Sequence, residues 1–96
     1  MPLFLLEVYI ATVVAADAEA LARRARAAAR VLSAEGRPVR CLRSILVPEE
    51  ETCFFLFEAA EAEDVRDAAA RAELPLGRVS EAATDRANDD GGAGPW

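Results

Sequence analysis

The run VRCLRSILVPEEETCFFLFEA, residues 39–59, decides the fold. Two stretches of β-branched, aromatic and aliphatic residues flank Pro48-Glu49-Glu50-Glu51, a polar turn, and the whole reads as a hairpin of strands 39–47 and 52–58. A four-residue turn sets Val47 opposite Thr52, Leu46 opposite Cys53, Ile45 opposite Phe54, Arg43 opposite Leu56 and Cys41 opposite Glu58. Side chains alternate between the faces of a strand, so Cys41, Arg43, Ile45, Phe54, Leu56 and Glu58 share one face. Leu42, Ser44, Leu46, Cys53, Phe55 and Phe57 share the other, small to medium in size and mostly apolar, which suits a cover of alanine-rich helices. The first set carries a cation and an acid within an apolar strip and is assigned to an open face.

Working outward, Leu3 to Ile10 (LFLLEVYI) reads as a buried strand. Phe4, Leu6, Val8 and Ile10 go under the helices, and Leu3, Leu5, Glu7 and Tyr9 go to the open face. Asp17 is placed to cap an alanine-rich helix, with Glu19 in its first turn. Leu21, Ala25, Ala28 and Leu32 form its apolar stripe, and Gly36 ends it. After the hairpin, a second helix is expected over about 61–73, with Val65, Ala68, Ala69 and Ala72 apolar; Leu74-Pro75 stops it. A weaker fourth strand follows over 76–83. The order β-α-β-β-α-β packs most simply as a ferredoxin-like α+β sandwich, an antiparallel sheet with two helices on one face.

Ninety-six residues exclude a second domain. Residues 1–84 are read as one domain and 85–96 (DRANDDGGAGPW) as a disordered acidic, glycine-rich tail. The net charge of −6 argues against nucleic acid and anionic membranes as partners. That charge is uneven: residues 1–46 carry +3 and residues 47–96 carry −9, and Arg23, Arg24, Arg26 and Arg30 cluster on the first helix. They read as a solvated face ahead of an anion patch. Without a histidine there is no Ser-His-Asp triad, no imidazole base and no His-bound zinc, and two cysteines alone do not make an ordinary zinc site. No metal and no cofactor is expected. Cys41 and Cys53, on opposite faces in this register, are expected to stay unbridged. Met1-Pro2 leads straight into a strand with neither a basic segment nor a cleavage site, and no apolar run approaches a membrane span of about 20 residues. The expectation is a cytoplasmic protein.

In the usual ferredoxin-like order the first and third strands are central neighbours, so Glu7, Tyr9, Arg43 and Glu58, with Cys41 nearby, are expected to converge on the open face. Either Arg43 neutralises Glu7 or Glu58 at a dimer interface, or this face holds a site. In the second case Glu7, Glu58 and Arg43 are the candidate catalytic residues. Glu7 or Glu58 would act as base or acid, Tyr9 as donor, and Arg43 as stabiliser of an enolate or carboxylate. Tyr9, Cys41, Ile45, Phe54 and Leu56 are the candidate ligand-binding residues. An apolar face of this extent calls for a second copy packed sheet to sheet.

Phe4-Leu5-Leu6-Glu7, the block Ser44 through Ala59, and Arg71-Ala72-Glu73-Leu74-Pro75-Leu76-Gly77-Arg78-Val79 together resemble a bacterial family of unknown function typified by a nickel-binding protein. The resemblance covers roughly residues 1–84 and implies a small ferredoxin-like homodimer. Members of that family usually carry an aromatic residue where Cys41 stands, histidine where Arg43 stands and tyrosine where Ile45 stands, while Glu7 and Glu58 match the family's acids. Arginine stays protonated and does not ligate a metal. The expected function is therefore a dimeric binding protein whose metal site is lost and whose open face holds a small organic ligand. The alternative is a cofactor-independent cyclase, isomerase or monooxygenase-like enzyme using carboxylate acid–base chemistry, an analogy at the level of fold; a third reading is a partner subunit with no site.

Overall fold

The computed structural model describes residues 1–10, 15–75 and 77–84. Residues 11–14, Leu76 and residues 85–96, Trp96 among them, lie outside the described residues, and with them the expectation of a disordered tail. Strand β1 (Leu3–Tyr9) is followed by helix α1 (Ala15–Ala34), strand β2 (Val39–Val47), a 3-10 turn (Pro48–Glu50), strand β3 (Thr52–Ala59), helix α2 (Ala62–Arg71) and strand β4 (Gly77–Ala82). The sheet runs β2-β3-β1-β4 with antiparallel neighbours throughout. This is the ferredoxin-like α+β sandwich that the hairpin and its flanks predict.

Alternation along β1 and β3 divides the sheet cleanly. Phe4, Leu6, Val8, Cys53, Phe55 and Phe57 are buried, while Leu3, Leu5, Glu7, Phe54, Leu56 and Glu58 are only partly so. The buried set packs against Ala22, Ala25, Ala29 and Leu32 of α1 and Val65 and Ala68 of α2. Alanine is what lets both helices lie close to a sheet whose inner face carries two fully buried phenylalanines, Phe55 and Phe57.

Both helices end in the same way. At α1 the Arg37 N–H reaches the Leu32 carbonyl (3.0 Å) and the Gly36 N–H reaches that of Ser33 (3.1 Å), with Gly36 at φ 93. At α2 the Leu74 N–H reaches Ala69 (3.0 Å) and the Glu73 N–H reaches Ala70 (3.1 Å), with Glu73 at φ 59. These are paired Schellman closures, one with glycine in the left-handed position and one without. The second is why α2 stops at Arg71, short of the expected 73. Arg24 of α1 reinforces it, donating through Nε to the Ala72 carbonyl and through Nη2 to that of Glu73, both at 2.8 Å. A cation placed there also opposes the helix dipole. Asp17 falls inside the first turn of α1, because the helix already begins at Ala15, and does not stand at its cap as expected.

The hairpin register follows the expectation from Val47↔Thr52 through Arg43↔Leu56 and then breaks. Between Arg43 and Cys41 one residue is extra, so Cys41 pairs with Phe57 and Arg40 with Glu58. A bulge of this kind shifts every residue beyond it to the other face. Cys41 is therefore buried in the helix-covered core with Cys53, and the assignment of the two cysteines to opposite faces is corrected. Both thiols are free.

Candidate functional site

Residues of the open face lie in rows across the strands. One row runs Arg43, Leu56, Leu5 and Ser80; the next runs Ile45, Phe54, Glu7 and Arg78. A third runs Arg40, Glu58, Leu3 and Ala82. Leu3, Leu5, Phe54 and Leu56 are half-buried, and Ile45 is 48% exposed. The face is an apolar bed with charges set at its margins.

Those charges pair differently from the expectation. The Glu7 carboxylate accepts from Arg78 Nη2 at 3.1 Å, and that of Glu58 accepts from Arg40 Nη1 at 3.5 Å. Neither meets Arg43. Among the described residues Arg43 has no ion pair; it stands exposed on an edge strand, two strands across from Glu7. Tyr9 lies at the end of β1, 65% exposed, and its hydroxyl donates to Glu51 Oε1 at 2.9 Å. That hydrogen bond, with the negative charge behind it, raises the pKa of the phenol. So the sheet brings Glu7, Phe54, Leu56 and Ile45 into one neighbourhood, leaves Arg43 beside it, and sends Tyr9 to the turn.

Cys41 leaves the set altogether. Burial pushes its thiol up to about 11, opposed by the nearby charge of Arg26, and it has no place on the open face. Sequence reasoning missed Arg78 and Arg40 as partners of the two acids. Arg40 was hidden by the bulge. Arg78 was within reach of the same alternation, had the fourth strand been given a register against the first.

A ferredoxin-like domain with one sheet face uncovered, apolar at its centre and charged at its margins, is the class of protein defined by this fold and face. A family model described as "Nickel responsive protein SCO4226-like" matches residues 4–82, and the chain belongs to that family. No curated protein and no solved structure matches the chain. The family's name implies nickel, and the donors present do not fit it. The chain has no histidine, both thiols are buried in the core, and among the described residues no three of His, Cys, Asp or Glu are grouped to hold a metal ion. Nickel favours imidazole nitrogen, which this chain does not supply.

Proposed function

We propose that the protein is a small homodimeric binding protein whose two open sheet faces pack towards each other and hold a small organic ligand in place of the family's metal. The supporting observation is the composition of the face. Leu3, Leu5, Phe54, Leu56 and Ile45 form an apolar bed, and Arg43 stands at its edge without an ion pair among the described residues. An apolar body with a carboxylate or similar anionic end fits that pattern, the body on the leucines and the anion on the guanidinium. Engagement of Glu7 by Arg78 and of Glu58 by Arg40 favours binding over acid–base catalysis, since a working base needs a free carboxylate facing its substrate.

Sedimentation and a thermal-shift screen of small aliphatic and aromatic carboxylates test this reading, with calorimetry against nickel alongside. The expected results are a dimer, stabilisation by some of the carboxylates that disappears in Arg43→Met, and no stoichiometric nickel site. A monomer at micromolar concentration would overturn the dimer, and a sub-micromolar nickel site would overturn the lost metal. Stabilisation unchanged in Arg43→Met would remove the ligand from this face.

A further inference from the structure

A second basic feature lies off the sheet face. Strand β2 is at the edge of the sheet, and α1 lies alongside it, leaving an open groove of about 410 Å³ between them. Arg26 and Arg30, one turn apart on α1, line one wall, and β2 at Arg40 lines the other, with the Arg40 guanidinium paired to Glu58 on the open sheet face. The floor is Ala29, Val39 and Cys41. The groove is held at a fixed width where Ser33 Oγ accepts from the Val39 N–H (3.1 Å) and donates to the Val39 carbonyl (3.0 Å).

No carboxylate lines this groove, although acids outnumber arginines in the chain by seventeen to eleven. Among the described residues Arg26 and Arg30 make no ion pair, whereas Arg40 pairs with Glu58 at 3.5 Å on the open sheet face. Four arginines elsewhere are paired with acids, Arg37 with Asp64 and Asp67, Arg71 with Glu35, Arg66 with Glu63 and Arg78 with Glu7, and Arg24 is held by the carbonyls of Ala72 and Glu73. Two unpaired guanidinium groups one turn apart, Arg26 and Arg30, repel each other, and a multiply charged anion between them relieves that repulsion while offering several acceptors to planar N–H forks. The volume suits a small molecule, and the chain's net charge of −6 works against a long polyanion.

We propose that the groove between α1 and β2 is an anion site for a small ligand bearing a phosphoryl or pyrophosphoryl group. It is separate from the sheet face: Arg26 and Arg30 play no part in the proposed ligand bed, and the Arg43 variant leaves the groove intact. The buried, neutral Cys41 thiol at its floor adds no opposing charge.

The probe is pyrophosphate, titrated into the full chain by calorimetry and thermal shift at constant ionic strength set with chloride. Saturable binding with a dissociation constant below about 1 mM is expected, weakened at least tenfold in the Arg26→Gln/Arg30→Gln double variant and unchanged in Arg43→Gln and Arg23→Gln. The single variant Arg30→Gln, at an exposed helix position, guards against a folding defect and should weaken binding several-fold. No binding beyond the chloride-matched control would overturn the proposal, as would a double variant that binds like the wild type. Loss of binding in Arg43→Gln alone would place the anion on the sheet face and overturn it equally.

Discussion

The thiol of Cys41 keeps its proton about two pH units longer in the native protein than an ordinary thiol does, because burial pushes it from 9.0 to about 11. The sign of the consequence follows from proton counting. Between those two values the unfolded chain has released a proton that the native chain still holds, so rising pH favours unfolding. The native advantage is intact below about pH 9 and is lost as the pH approaches about 11, a change of about 2–3 kcal/mol. Urea unfolding of the wild type and Cys41→Ala at pH 8 and pH 11 should show the gap between them closing by about that amount, with other alkaline titrations common to both. A constant gap would mean that the thiol is solvated. Two further residues carry predictions. Glu73 sits at φ 59, where a side chain costs about 1 kcal/mol and glycine costs none. Glu73→Gly should raise stability by about 0.5–1 kcal/mol in the same assay, since the Arg24 contact is to the backbone carbonyl and survives. Arg43→Met should change stability by less than about 0.5 kcal/mol, because both acids of the open face already have other partners.

At the scale of elements, β1, β3 and the upper half of β2 were legible in the sequence because each is a short run of aliphatic, aromatic and β-branched residues bounded by turn or cap residues. The turn Pro48–Glu50 then fixed the register as far as Arg43↔Leu56. Below that point reading failed at one residue. Leu42 is an ordinary apolar residue in an apolar strand, and nothing local distinguishes a bulged leucine from a paired one, since no glycine or proline marks the place. The cost of the miss fell on the site: it put Cys41 on the wrong face and hid Arg40 as the partner of Glu58. Strand β4 holds the other lesson. Gly77 falls in the weaker strand expected over 76–83 with no local sign of its role, yet a Cβ there would collide with the backbone carbonyl of Glu7 across the β1–β4 ladder. Both clashing groups belong to paired backbone, so relief requires the strand end to separate. Gly77→Ala should therefore cost about 2 kcal/mol or more, read by denaturant unfolding, with faster amide exchange confined to Val8 and residues 78–79. A cost within error would mean that β4 begins one residue later.

For the whole molecule, the helices satisfy one side of the sheet and leave the other with Leu3, Leu5, Phe54, Leu56 and Ile45 only half covered. A domain this small has little surplus burial to spare, and covering that face with its own twin adds apolar contact without any new chain. Two variants separate assembly from folding. Leu56 lies at the centre of the face on an interior strand, pointing away from the buried Phe55 and Phe57, so a charge there reaches the proposed interface and not the helix-packed core. Leu56→Glu places a carboxylate, and its symmetry mate, in an apolar contact, and its direct cross-strand neighbour Arg43 stands exposed at the sheet edge, so pairing between them sets two charged groups against the partner's apolar face. The expected outcome is a monomer by sedimentation at micromolar concentration, with helix and strand content retained by circular dichroism. Ser80→Glu, on the same row but at the outer strand, should leave the dimer largely intact. Carboxylate ligands that stabilise the wild type should fail on Leu56→Glu, because the bed that holds them is then open to water on one side. A Leu56→Glu protein that remains a dimer would put the interface elsewhere and leave the sheet face without the cover it is proposed to have.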